Sequence, residues 1–347
     1  MVVKLFINGY GNIGRRIALA FTKDKDIHLI GVAKYTCDSK TREAIENKFN
    51  VYVSHEMTKL FKERGYTITG EIPEAIEQSD LIIDASKEGE GFNNKKNYYE
   101  PKKKSAIFQG GEERYGKHSV ADIIHNSRVN YESMGGRKYV IQGSCNVSGM
   151  GRIMQPLIEN FSNIKRYDVT LIRRSADLED MREVKDSIEW DKNPHHQDDV
   201  KDFIPSANLY VESYKVPSRM MHLHQIAVRF DGKAPNKDSL LEIFQNEFGV
   251  AVLNSAKGTA DIRRKAIDLD FPNGDTNMVH IHQDMLRIQD DTVKISYSDD
   301  QTGMVIPENY LLMQSMIYRR PRSQAIRNTD KLFQMNKKRK ILEEEFK

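Results

Sequence analysis

Cysteine is scarce: Cys37 and Cys145 are the 2 in a chain of 347 residues. Two thiols cannot build a disulfide framework, so a reducing compartment is expected, with the cytoplasm the natural assignment. No apolar run approaches the roughly 18 residues of a membrane-spanning helix, and the mean hydropathy is -0.63. A secretory signal is not expected either, because Met1-Val2-Val3-Lys4-Leu5-Phe6 leads directly into a glycine motif. Neither sign of charge dominates. With 53 Lys+Arg against 50 Asp+Glu the net charge is +3, and a protein that tracks nucleic-acid phosphates should carry a clear cationic excess. Hydrophobic residues make up 39% and charged residues 30%, too apolar for a disordered chain. The length suits two domains.

The first third alternates short apolar runs with amphipathic stretches. Val2–Asn8, Ile27–Ala33, Phe49–Val53, Leu81–Ala85 and Ala106–Gln109 read as strands. Arg15–Thr22, Met57–Gly65 and Pro73–Gln78 read as helices between them. That alternation predicts a doubly wound parallel sheet, Rossmann-like, covered on both faces. Past residue 140 the texture changes. Tyr139–Gln142 is one more strand and Gly149–Phe161 a helix, followed by long alternating runs at Tyr167–Arg173, Leu209–Val216 and Met220–Phe230. Met278–Gln289 and Val293–Tyr297 flank a hairpin turn at Asp290-Asp291-Thr292. The second half is therefore expected to be an α+β domain with a mixed, mostly antiparallel sheet. The expected boundaries are 1–139 for the dinucleotide domain, joined by C-terminal helices 304–347, and 140–303 for the catalytic domain. The segment Asp191–Asp199 reads as an irregular polar loop.

Gly9-Tyr10-Gly11-Asn12-Ile13-Gly14 fits G-x-G-x-x-G after a strand and at the opening of a helix. The first glycine permits the turn, the second lets backbone approach a pyrophosphate, and the third packs helix on strand. A site for NAD would place an acid about 20 residues further on, to bond the ribose hydroxyl. Here the second strand ends in Lys34 instead. A lysine attracts the additional phosphate of NADP, so NADP is expected to be preferred over NAD.

Gly143-Ser144-Cys145-Asn146 lies between a strand and a helix. A thiol at a helix N-terminus is expected to have a lowered pKa and to be nucleophilic. In the alternating run Met220–Phe230, His222 and His224 share one strand face.

The whole chain resembles glyceraldehyde-3-phosphate dehydrogenase of the archaeal type. The resemblance rests on Asn8–Gly14, Gly31–Lys34, Ala106–Glu112, Ser144–Asn146, Arg173–Asp177, His195-His196, Met221–His224 and Val305–Asn309, in order along the chain. It implies a phosphorylating oxidation of glyceraldehyde 3-phosphate with inorganic phosphate and NAD or NADP. Cys145 would be the nucleophile, forming a hemithioacetal and then a thioester, and His222 the base, with His224 the fallback. Ser144, Asn146, His195 and His196 would meet the substrate. Of the two neighbouring arginines, only one was expected to enter the site, because adjacent strand residues point to opposite faces. By family position that is Arg174, which with Gly9, Gly11, Asn12, Ile13, Gly14, Lys34, Gly111 and Gln301 would complete the cofactor-contacting set. The resemblance also implies a homotetramer. Two departures stand out. Asp299-Asp300 precedes Gln301 where the family usually has a histidine, and the loop Ser86–Gly91 is altered, so no contact is assigned there.

Other readings make different demands. A phosphorylating semialdehyde dehydrogenase would use the same thiol chemistry on a substrate carboxylate. The histidine pairs invite a metal, but no matching set of cysteines or carboxylates stands at recognised spacing, so none is expected. The basic tail, with Lys337-Lys338-Arg339-Lys340, is expected to be a solvated helix face rather than a nucleic-acid surface.

Overall fold

The computed structural model describes residues 1–180 and 183–347. The chain divides into two compact units. The first comprises Met1–His125, Glu132–Ser144 and Asn309–Ala325, and the second Asn126–Tyr131, Cys145–Glu308 and Ile326–Lys347.

The first unit holds strands β1 (Val3–Asn8), β2 (Ile27–Ala33), β3 (Val51–Val53), β4 (Gly70–Glu71), β5 (Leu81–Asp84), β6 (Ser105–Phe108), β7 (Ile124–His125) and β8 (Tyr139–Gln142). They form one 8-stranded sheet in the order β4-β3-β2-β1-β5-β6-β8-β7. Every pairing in it is parallel. Helices α1 (Asn12–Phe21), α2 (Ser39–Glu46), α3 (Thr58–Glu63), α4 (Ile72–Gln78) and α5 (Gly91–Asn94) belong to this unit. Leu81, Ile82 and Ile83 of β5 and Ala106, Ile107 and Phe108 of β6 are fully buried, as strands covered on both faces must be. The strand order reverses beside β1, and such a switch point opens a crevice at the carboxyl ends of the strands.

The second unit holds β9 (Ile164–Arg174), β10 (Glu189–Trp190), β11 (Leu209–Val216), β12 (His222–Phe230), β13 (Val250–Leu253), β14 (Val279–His282), β15 (Arg287–Gln289) and β16 (Thr292–Asp299). Their order is β10-β11-β9-β12-β16-β14-β13, with β15 pairing β16. The β9–β11 and β13–β14 pairings are parallel and the others antiparallel, giving the mixed sheet. Helices α6 (Cys145–Asn160), α7 (His196–Phe203), α8 (Lys237–Gln245) and α9 (Thr259–Asp268) follow in chain order, then α10 (Gln301–Met316), α11 (Arg322–Phe333) and α12 (Met335–Glu345).

Three expectations change. The run Met278–Gln289 is two strands, broken by a 3-10 turn at Gln283–Met285. The helix expected from Gly149 starts at Cys145, four positions earlier. The irregular loop ends before Asp199, because α7 starts at His196. Both glycines of α6, which weaken the helix signal, admit neighbours instead. A Cβ on Gly151 would meet the Asn126 side chain at 2.2 Å, and one on Gly149 would meet Asp299 Oδ2 at 3.3 Å.

Candidate active site

In the first unit, β1 turns into α1 through the glycine motif. Gly9 has φ +122, and a Cβ there would meet the Ala85 carbonyl oxygen at 2.3 Å. A Cβ on Gly14 would meet the Gly9 carbonyl oxygen at 1.9 Å, whereas one on Gly11 would enter open space. Gly11 is the N-cap of α1, which has no side-chain cap and no acid in its first turn. The partial positive charge of that helix end favours an anion there, with Asp38 and Glu90 among the residues that line the space beside it.

Above the motif lies a cavity of about 550 Å³ lined by Gly9, Gly11, Lys34, Tyr35 and Lys40 on one side and Ser86, Lys87 and Glu90 on the other. That volume is in the range of small-molecule and cofactor sites. The residues present therefore fit a dinucleotide: a crowded turn, one open glycine and an uncapped helix end. Asp84 forms a polar floor nearby, accepting hydrogen bonds from Tyr99 Oη at 2.6 Å and Asn94 Nδ2 at 2.9 Å.

Lys34 is not the free cation that the sequence suggested. It is buried, and its Nζ donates to Asp38 Oδ1 at 2.8 Å and Oδ2 at 3.0 Å. Burial works to raise the Asp38 carboxyl pKa, but the Lys34 bond and that of Thr36 hold it below the ordinary value. Asp38 also caps α2 by accepting from the Thr41 amide at 3.1 Å. The acid missing from the end of β2 thus arrives four residues later. The loop Ser86–Gly91, to which no contact was assigned, supplies three lining residues. Gly111 has φ +115 and packs near the Glu88 side chain; it is not among the cavity's lining residues.

In the second unit, Cys145 opens α6 and is half-buried. Its Sγ, a ring nitrogen of His222 and a carboxylate oxygen of Asp299 all lie within 4.8 Å of one another. Strand register creates this meeting, since His222 on β12 is paired with Asp299 on β16. Along β12, His222, His224, Ile226, Val228 and Phe230 are all buried, so the alternation read from sequence holds. His224 is completely buried, with its Nε2 at 3.3 Å from Asp299 Oδ2. His222 keeps 7% of its surface exposed.

The thiol pKa runs opposite to expectation. Burial pushes Cys145 well above the ordinary thiol value, and the Asp299 carboxylate adds to this. Arg174, the Asn146 amide and Arg173 pull the other way and lose. A helix end contributes a fraction of a charge, whereas a buried carboxylate within 4.8 Å contributes a full one. Burial also pulls His222 well below the imidazole range, helped by His224, Arg174 and Arg173. Both groups therefore rest uncharged at neutral pH. The Arg174 backbone N–H donates to His222 Nδ1 at 3.0 Å, which places the proton of the neutral ring on Nε2.

The charges of both arginines lower the thiol pKa, Arg174 more than Arg173. They end β9, where Arg174 pairs with Asp177 and Arg173 with Asp191. His195 stacks on His196 at 4.2 Å and bonds Asp199 Oδ2 at 2.6 Å, which raises its pKa. His196 is buried and accepts from Asn146 Nδ2 at 2.9 Å through Nε2, so its residue-146 contact is indirect support for the thiol helix. Gln301 starts α10 beside Arg263 and Met221, and its Oε1 is buried without a partner among the described residues. Asp299 was missed from the sequence. The two acids before Gln301 were the available signal, but they carried no hint of which faces the thiol.

A glycine-loop parallel sheet, together with a separate mixed sheet whose buried His222 meets a half-buried cysteine at the start of helix α6, defines the class of thiol-dependent, two-domain oxidoreductases. No family model matches the chain. Curated relatives do. The chain is 33% identical over 350 residues to glyceraldehyde-3-phosphate dehydrogenase of Pyrobaculum arsenaticum, covering 97% of this chain and 99% of that one. With the enzyme of the same name from Sulfolobus acidocaldarius the identity is 32%, covering 96% and 98%. With that from Pyrobaculum calidifontis it is 30%, covering 95% and 96%. The chain belongs to the glyceraldehyde-3-phosphate dehydrogenase family.

Proposed function

We propose that this protein oxidises glyceraldehyde 3-phosphate reversibly to 1,3-bisphosphoglycerate, using inorganic phosphate and a nicotinamide dinucleotide. The observation that carries the reading is the meeting of half-buried Cys145, at the start of α6, with buried His222 of β12, in a chain that also holds a dinucleotide-shaped glycine loop. The thiolate of Cys145, the minor form at rest, adds to the aldehyde carbon. The C–S bond forms and the carbonyl electron pair moves to oxygen. His222 Nε2–H is placed to hydrogen-bond that oxyanion, and the ring becomes a base only when it releases the Arg174 bond. A nicotinamide, when bound, supplies the hydride acceptor that turns the hemithioacetal into a thioester. A phosphate oxygen then attacks the thioester carbon, the C–S bond breaks, and Cys145 leaves as thiolate. Arg173, Arg174, His195 and His196 supply cationic and hydrogen-bonding groups for the two phosphates.

The cofactor loop supports NADP as the preferred dinucleotide. Lys34 and Lys40 both line the cavity beyond β2, although Asp38 offsets Lys34. The family resemblance adds a homotetramer, and two free cysteines accord with the reducing cytoplasm.

The test is a steady-state assay of glyceraldehyde 3-phosphate oxidation with each dinucleotide, with and without phosphate, beside the same assay on aspartate semialdehyde. Oxidation that depends on phosphate and disappears in Cys145→Ser, with cofactor binding retained, is the expected result. Turnover of the semialdehyde alone would overturn the substrate reading.

A further inference from the structure

Asp299 and Asp300 are neighbours with opposite surroundings. Asp300 is buried and well supplied: it accepts from Arg263 Nη1 at 3.2 Å, and from the Thr276 amide at 2.9 Å. Asp299 is completely buried, and neither of its oxygens accepts a hydrogen bond among the described residues. A buried carboxylate without a donor is costly, and it calls for a cation. Around it stand three further groups that bind metals: the Cys145 thiol and a His222 nitrogen within 4.8 Å, and His224 Nε2 at 3.3 Å. Both His224 nitrogens also lack a hydrogen-bond partner among the described residues.

We propose that Cys145, His222 and Asp299 form a binding site for a thiophilic divalent cation of the zinc type, and that occupancy reversibly shuts off the thiol. One sulfur, one imidazole nitrogen and one carboxylate oxygen are ligand types that zinc accepts together in tetrahedral geometry. Zinc–ligand bonds of about 2.0–2.3 Å put ligand atoms about 3.3–3.7 Å apart. The three atoms must therefore draw in by about 1 Å, a movement within reach of side-chain rotation. The fourth position falls to water or to His224, which otherwise steadies the second carboxylate oxygen.

The charges balance. A divalent cation meets one carboxylate and one thiolate, and the thiol proton passes to solvent as the S–metal bond forms. Ligation through Nε2 of His222 moves the ring proton to Nδ1 and gives up the Arg174 hydrogen bond. Arg173 and Arg174 oppose the cation, but each is already paired, with Asp191 and Asp177. Sequence spacing hid the set, because its members come from positions 145, 222 and 299 on three different elements.

The binding does not depend on the dehydrogenase reading, whereas its inhibitory consequence does. The experiment titrates Co²⁺ into the Cys37→Ser protein, where Cys145 is the remaining thiol. Expected is a thiolate-to-cobalt charge-transfer band that Zn²⁺ displaces, with Cys145 protected from iodoacetamide until a chelator is added. Removing even an outer-shell partner costs about 10–100-fold in metal affinity, so Asp299→Asn should weaken binding at least about 100-fold. Asp299→His, which restores a ligand atom, should recover it and controls for folding. Absence of the thiolate band, or equal affinity in Asp299→Asn and the parent, would overturn the site. Metal binding with unprotected thiol would overturn the shut-off. A protein that binds cobalt through Cys145 but never oxidises glyceraldehyde 3-phosphate when metal-free refutes the function proposed above and leaves the site standing.

Discussion

Replacing Asp299 with Asn should make Cys145 more reactive, although it removes a group from the centre of the candidate site. The carboxylate lies within 4.8 Å of the sulfur and repels a thiolate. Coulomb's law gives 332/(20 × 4.8), about 3 kcal/mol, at an effective dielectric of about 20. That corresponds to about 2.5 pH units, or roughly 300-fold more thiolate at neutral pH. In full water screening the same charge would be worth only about fourfold. The fully buried carboxylate and half-buried thiol lie nearer the first limit, so at least about tenfold is expected. The assay is the pH–rate profile for iodoacetamide, a neutral reagent, in the Cys37→Ser background. In the parent, the alkylation rate should climb about tenfold per pH unit through pH 9, because the raised thiol is still titrating there. In Asp299→Asn the profile should shift bodily to lower pH. A parent plateau near pH 6–7, or an Asn variant that reacts no faster, would refute the reasoning.

The glycine motif separates folding from binding. Gly14→Ala drives a Cβ into the Gly9 carbonyl oxygen at 1.9 Å and should lower the melting temperature sharply, read by calorimetry. Gly11→Ala meets nothing within 4 Å, so its melting temperature should stay put while dinucleotide affinity falls, read by fluorescence titration. Lys34→Asp places a second carboxylate beside Asp38. It should raise the Michaelis constant for NADP far more than that for NAD, and an unchanged ratio would remove Lys34 from cofactor selection. Glu308→Gln leaves the Arg152 guanidinium buried without its counter-charge, since the two meet at 2.5 Å and are 1% and 2% exposed. Losing one partner of a buried pair costs about 3–5 kcal/mol, a loss visible in the midpoint of urea unfolding.

How much could be read in advance depended on how local the cause was. The strands Ile27–Ala33, Tyr139–Gln142 and Leu209–Val216 fall where the sequence put them, because an apolar run bounded by polar turns is a local fact. The glycine motif was equally legible: its crowding involves residues at the ends of β1 and β5. The expected helix began at Gly149 rather than Cys145, and the reason for Gly149 and Gly151 within it is a partner from elsewhere in the fold. The setting of Lys34 was hidden by the same mechanism at shorter range. Its neutralising acid lies one helical turn beyond the place where a strand-end acid is sought.

The thiol is the sharpest case. Along the chain, Cys145 has only a helix start and the Asn146 amide, both of which favour thiolate. Across space it has burial and Asp299, both of which oppose thiolate and outweigh them. Burial is the larger of the two, and Asp299 adds to it through a register between β12 and β16 that sets His222 opposite Asp299. A slip of one residue in that pairing would set Ser298 or Asp300 opposite His222 in place of Asp299. The electrostatics of Cys145 thus depend on which residue the register places there. Gly149 reinforces that choice, because a side chain there would press on Asp299 Oδ2 at 3.3 Å. Gly149→Ala should accordingly disturb thiol reactivity from a position that touches no substrate.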